Sequence, residues 1–422
     1  MTFLVVRAAL SARVENLRAF FLQPVLLLAA LILLAPVTAA SAQNAGSGLL
    51  DGNAVTSGFS GVQLPPQIAI GVDPAAHATI DLDGPALRIV DLQALGEAPA
   101  GQLAPPAKQL TLPARQIGQV FSIALDDATP PNIYAAATSA YGLPIMVPDT
   151  DGDGGPDRAQ QGGPGASFMP GLFGPVAAGA GPGSVWRIDG VSGEARVLAS
   201  IGLDGVANGG AALGGITFDR QSKTLLVADR ETGMIHRLDL GGSEVGRYDH
   251  GVQGRTAGGL APVPFDAAKR ASITQPSFQT GKPDTWGYAP AARRIFAVAV
   301  HGGRLFYAVA DGLQIWSVAS GADGAFGADA RIELTVPPGS SPGEISKIVF
   351  DDQGRMLVAE RAPIGSIRFH GARRRGSRAR ATLRSCAGGK RQHMAERARQ
   401  VRRRHEAGDA PGQWWHRHRL RA

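Results

Sequence analysis

With 422 residues, 56 Gly, 29 Pro and one Cys, the chain has room for a domain of roughly 300 residues and cannot close an intramolecular disulfide. Its apolar runs are short, strand-length segments punctuated by turns, which excludes a helical bundle and predicts an all-β fold. The net charge of +7 is unevenly spread, because residues 371–422 hold 16 Lys or Arg against three acids while the rest of the chain holds 26 against 32. Basicity therefore describes the C-terminal segment and not the body.

At the N-terminus, Arg7, Arg13 and Arg18 precede an apolar run over 25–35, and Ala40-Ser41-Ala42 follows in the small-x-small pattern of a signal-peptidase site. The run falls short of the roughly 20 apolar residues that span a bilayer. Residues 1–42 thus read as a cleaved signal peptide, with an uncleaved membrane anchor as the alternative, and the mature protein as exported, periplasmic or extracellular. Residues 43–61 are small and polar and read as a flexible leader.

The body, 62–366, reads as strands. A first hairpin is predicted over 78–82 and 87–90 across Asp83-Gly84, and a second over 120–125 and 133–137. Further strands are predicted at 184–189, 195–199, 216–229, 234–238, 295–300, 305–310 and 314–318. Gly215-Ile216-Thr217-Phe218-Asp219 with Leu225-Leu226-Val227-Ala228-Asp229 recurs as Lys347-Ile348-Val349-Phe350-Asp351 with Met356-Leu357-Val358-Ala359-Glu360. Recurring strand-turn-strand units predict a β-propeller; the family resemblance given below implies about six blades, and the frame-shift reading of the tail would leave the last one incomplete.

Residues 144–183 form a Gly- and Pro-rich insertion that opens on an acidic loop. Acids at positions one, three, five and nine, with Gly154 at six, have the spacing of a calcium loop, in which alternate oxygens surround a hard cation. The candidate metal set is Asp149, Asp151, Asp153, Gly155 and Asp157. Gln160 stands where a bidentate Glu closes such loops, so Ca2+ affinity is expected on the order of 10⁻⁴ to 10⁻³ M; a solvated acidic turn is the alternative. The apolar residues over 168–173 predict that the insertion packs down as a lid. In a second irregular stretch, 248–288, Asp249, His250 and Arg255 are candidate ligand-binding residues, with an ordinary turn as the alternative.

The segment LLVADRETGMIHRL, from Leu225 to Leu238, resembles the NHL repeat and the propellers of the senescence marker protein and gluconolactonase type. His236-Arg237 after Ile235 alters the order of that pattern. The body also resembles a group of exported bacterial propeller proteins. Extended to chemistry, the resemblance implies a divalent ion held by Glu360, Asn208 and Asp229 in a metal-dependent lactonase or esterase. The alternative for Asp229 and Glu360, which occupy matching strand ends, is that they accept hydrogen bonds from the following turn.

No Gly-x-Ser-x-Gly, phosphate loop or His-Glu-x-x-His is present. The expectation is a binding or scaffolding protein of the cell envelope for a protein, glycan or small-molecule ligand, with the lactonase as runner-up. The tail, 367–422, has two readings. One is a basic arm for nucleic acid or anionic membrane, with Trp414 and Trp415 among arginines. Its His370, His393, His405, His416 and His418 with Cys386 show no metal-ligand spacing. The simpler reading is a shift of frame after about Ser366, since GC-rich coding DNA read off-frame is rich in Arg, Ala and Gly, and codons can be chosen for 367–371 that give blade-like residues when reread one base on; nucleic acid is a partner only if the arm is genuine.

Overall fold

The computed structural model describes residues 48–64, 77–92, 108–150, 152, 154–337 and 343–361. The signal-peptide reading, the basic tail and the frame-shift reading fall outside these residues. Within them the fold is all-β, a series of small antiparallel sheets.

In chain order, β1 (Asn53–Ser57), β4 (Pro85–Asp91) and β5 (Lys108–Pro113) form a three-stranded sheet, while β2 (Val62–Gln63) pairs with β3 (Thr79–Ile80). The second sheet takes β6 (Val120–Leu125), β7 (Ile133–Ala137), β11 (Ser184–Ile188) and β12 (Ala195–Ser200). Between β7 and β11 the insertion makes its own sheet of β8 (Ile145–Val147), β9 (Asp157–Ala159) and β10 (Ser167–Phe168). After the short pair β13 (Gly202–Leu203) and β14 (Val206–Ala207), a four-stranded meander comprises β15 (Leu213–Asp219), β16 (Thr224–Asp229), β17 (Met234–Leu238) and β18 (Glu244–Asp249). A second meander comprises β19 (Ile295–His301), β20 (Arg304–Val309), β21 (Gln314–Ala319) and β22 (Arg331–Thr335). The last described pair is β23 (Glu344–Phe350) with β24 (Met356–Arg361).

The repeat seen in the sequence is a repeat of register. Ile216 faces Val227 and Leu213 faces Asp229, just as Ile348 faces Val358 and Ile345 faces Glu360, with an irregularity at the same place in both pairs. The run Leu225-Leu226-Val227-Ala228 is apolar without a break because both faces are covered. Leu225 and Val227 pack with Tyr134, Ala136 and Val185 of the preceding sheet. Leu226 and Ala228 pack with Val298, Leu305 and Tyr307 of the following one. Similar cores join the first sheet to the second, through Leu87, Ile89, Val120 and Trp186, and the second meander to β23, through Ala297, Ala299, Ile345 and Ile348.

The first strands of successive sheets approach one another closely. Ile216 N donates to Ser122 Oγ at 3.0 Å, joining β15 to β6. A Cβ on Gly215 would stand 2.7 Å from the Phe296 carbonyl oxygen, so only glycine lets β15 lie against β19. Lys347 Nζ of β23 reaches back to Ile123 O of β6 at 3.3 Å.

Several expectations are corrected. The stretch 78–90 is not a hairpin: β4 finds longer partners in β1 and β5, and Gly84 sits against Ser60, where a Cβ would lie 1.9 Å from the carbonyl oxygen. The leader reading fails at Asn53–Ser57, which pairs with β4 from end to end. The insertion contains a sheet, and its Met169, Leu172 and Phe173 are buried against Ala114 and Phe278, as the apolar cluster predicts. Among the described residues no helix is long and apolar enough to cross a membrane.

Candidate functional site

The register repeat carries two arginines to one place. Arg230 follows β16 directly, and Arg361 ends β24 at the matching position. Arg294 stands just before β19, and Glu344 begins β23. Arg230 Nη2 donates to both oxygens of Glu344, at 2.9 and 3.2 Å, and Arg294 Nε donates to Oε1 at 3.0 Å. Arg361 Nη2 reaches Ala140 O at 3.1 Å, tying the last strand to the end of the second sheet.

Aromatic rings hold the cationic groups. The Arg230 guanidinium lies 4.7 Å from the Tyr288 ring and 4.6 Å from Phe296. Arg361 lies 5.4 Å from Phe296 and 6.0 Å from Phe121, distances at which a ring face attracts a cation. Tyr288 Oη meets Ser139 Oγ at 2.9 Å. The Arg230 side chain is fully buried, whereas Phe121, Tyr141, Tyr288, Arg294 and Arg361 are half-buried.

Three guanidiniums face one carboxylate. Burial pushes Glu344 up, but Arg230 and Arg294 outweigh it and hold the carboxyl below its ordinary range. Burial and then the charge of Arg230 push Arg361 down. Nε and Nη1 of Arg230 and Nη1 of Arg361 are buried with no acceptor among the described residues. Nε of Arg88 and Arg237 and Nε1 of Trp186 are in the same condition, so what sets this cluster apart is its surplus of three guanidiniums over one carboxylate.

The residues predicted as sites fare differently. Asn208 and Asp229 do meet, Nδ2 to Oδ1 at 2.8 Å, but the Asp229 carboxylate also accepts from Glu231 N and Thr232 Oγ1. Its oxygens serve the turn after β16. Glu360 is exposed and accepts from Gly343 N at 2.6 Å, apart from that pair. Asp249, His250 and Arg255 do not converge on a pocket. Asp249 pairs with Arg293 at 3.0 Å, His250 is buried with Nδ1 at 3.1 Å from Tyr307 Oη, and Arg255 Nε donates to Ala261 O. Burial, then Arg255 and Arg293, push His250 down to about 3, so it stays neutral.

In the acidic loop, Asp149 accepts from Gly152 N and Gly154 N at 2.6 and 2.8 Å, and Asp157 accepts from Thr150 N and its hydroxyl. These bonds make a closed turn. Asp151 and Asp153 lie outside the described residues, and Gly155 follows the bend at Gly154. Among the described residues no group of three or more His, Cys, Asp or Glu is arranged to hold a metal ion.

Two further buried groups escaped sequence reasoning. His236 lies 3.0 Å from Glu244 and 3.8 Å from Asp229. Burial opposes its charge, but the two carboxylates outweigh burial and raise the imidazole to about 9. Glu231 is pushed up to about 7 by burial, with Asp229 adding to the effect. It lines a small cleft with Phe265, Lys269, Arg270 and Tyr288.

No protein-family model matches the chain, and no curated protein matches it. Solved structures with some likeness include a nidogen/laminin complex, at 13% identity and a TM-score of 0.32 over 66% of this chain and 75% of that one. A 6-phosphogluconolactonase-like protein from Bacteroides uniformis matches at 12% identity and 0.30, covering 66% of this chain and 58% of that one. The computationally designed Ika4 protein matches at 11% and 0.24, over 58% and 91%. Likeness at this level carries no argument, and the all-β architecture rests on the strand pairing above.

Proposed function

We propose that the chain is an exported binding protein of β-propeller type whose ligand site is the axial end where Arg230, Arg294 and Arg361 gather around Glu344. Close packing of β6, β15, β19 and β23, with one core between each successive pair of sheets, supports the radial reading. The signal-peptide pattern at 25–42 supports export. The observation that carries the binding reading is the surplus of three guanidiniums over the one carboxylate that acts on all of them among the described residues.

The lactonase reading requires Glu360, Asn208 and Asp229 around one divalent ion. Asp229 and Asn208 are instead bonded to each other and to the turn, and Glu360 is exposed elsewhere. A hydrolysis assay with γ-lactones, phenyl acetate and a phosphotriester, with and without Ca2+, tests the choice. The binding reading expects no metal-dependent turnover, and turnover abolished by Asp229→Asn would replace it with the hydrolase.

A further inference from the structure

Four sheets share one arrangement of their first and second strands. Val120 faces Ala137, Leu213 faces Asp229, Ile295 faces Val309 and Ile345 faces Glu360, and the same irregularity follows in each pair. The residue just before Ala137, Asp229, Val309 and Glu360 is in every case an alanine: Ala136, Ala228, Ala308 and Ala359. In three of the four sheets a third strand crosses that alanine and sets a β-branched aliphatic side chain opposite it, Val185 in β11, Ile235 in β17 and Ile315 in β21. These three and their alanines are buried, none more than 2% exposed. A small residue facing a branched one is a cross-strand pair that fills a sheet covered on both sides.

β24 differs from β7, β16 and β20 in what covers it. Among the described residues it pairs with β23 alone, and its other edge has no strand partner. Ala359 is exposed, and Leu357 is 60% exposed where the matching Leu226 of β16 is fully buried. A free edge beside apolar side chains is a template for a further strand. The sequence that follows β24 has the residues to be that strand. Ile235 and Ile315 follow their alanines by seven residues, and Ile367 follows Ala359 by eight, which lengthens the turn by one. Gly365 precedes Ile367 by two residues, as Gly233, at φ 69°, precedes Ile235. Ser366-Ile367-Arg368-Phe369-His370 then alternates polar and apolar residues with the period of a strand.

We propose that the free edge of β24 receives residues 366–370 of the same chain as an antiparallel third strand, with Ile367 opposite Ala359. The short connection from β24 keeps this segment at high effective concentration beside the edge, an advantage that a strand from a second copy lacks. The docked strand pairs the open edge and covers Ala359. Any shift of frame then lies beyond His370.

Cysteine pairs in the full chain, with Cys386→Ser to remove the resident thiol, test the register. Residues directly opposite in an antiparallel pair lie within disulfide reach. Ala359→Cys with Ile367→Cys is expected to close an intramolecular disulfide roughly tenfold faster than Ala359→Cys with Arg368→Cys, because neighbouring residues of a strand point to opposite faces. Equal rates, or a faster second pair, would overturn the proposal. A disulfide-linked dimer formed by Ala359→Cys alone, as fast as the intramolecular bond, would place a second copy on the edge and overturn it too. Trypsin on the unsubstituted chain gives a readout that no variant disturbs. Cleavage after Arg368 is expected to be roughly tenfold slower than after Arg375, since a paired strand must open before it is cut. Equal cleavage at the two arginines would remove the third strand.

Discussion

Arg230 and Arg237 sit seven residues apart on either side of the same turn, both are buried, and they are satisfied to very different degrees. Arg237 donates to Asp219, Ser222 and Thr224 through Nη1 and to Ser320 through Nη2, so it joins the two four-stranded meanders with most of its donors met. Arg230 donates to Glu344 through one nitrogen, shares that acid with Arg294 and otherwise lies against the rings of Tyr288 and Phe296. Burial alone therefore does not separate a structural arginine from a ligand arginine. Charge balance does: Arg237 faces Asp219 and Asp323, whereas Arg230, Arg294 and Arg361 share Glu344, and both Arg230 and Arg237 keep a buried Nε with no acceptor among the described residues.

The strongest way to break this contrast is to remove the shared acid. Glu344→Gln leaves one buried and two half-buried guanidiniums facing one another and should cost about 4 kcal/mol of unfolding free energy, measured by urea denaturation. Asp219→Asn should cost about 3 kcal/mol by the same measurement, with no change in affinity for an anion. Equal loss of anion binding in both variants would erase the distinction between the two arginines.

His236 sharpens the comparison, since it is a buried cation with more carboxylate than it needs. Its folded pKa is raised to about 9 from an unfolded value near 6.5, so the pair's stabilisation is complete below about pH 6.5. It is lost as pH rises through 9, which predicts a fall of about 3 kcal/mol across that window. Thermal unfolding between pH 6 and 10 would show this fall, and His236→Gln should flatten it.

Much of the fold was legible because strands covered on both faces read as unbroken apolar runs, as at Leu225-Leu226-Val227-Ala228. β22 was missed because all five of its residues are exposed, and β18 because only Tyr248 within it is buried, so neither has an apolar run. β1 was hidden in a small, polar stretch that becomes a strand only beside β4. The site was half legible. Sequence attention fell on Asp229 and Glu360, one residue before the arginines that matter, because acids at strand ends suggest metal chemistry. The same repeat placed Arg230 and Arg361 in matching positions, but their convergence on Glu344 depends on how distant sheets pack.

The most direct test of the central claim needs no ligand. Arg361→Gln removes one of two uncompensated charges and keeps a polar donor near Ala140, so the unfolding free energy of the unliganded protein should stay within about 0.5 kcal/mol of the parent or rise. A loss of about 3 kcal/mol or more would show Arg361 to be a structural member of the ion cluster and contradict its assignment as a ligand group.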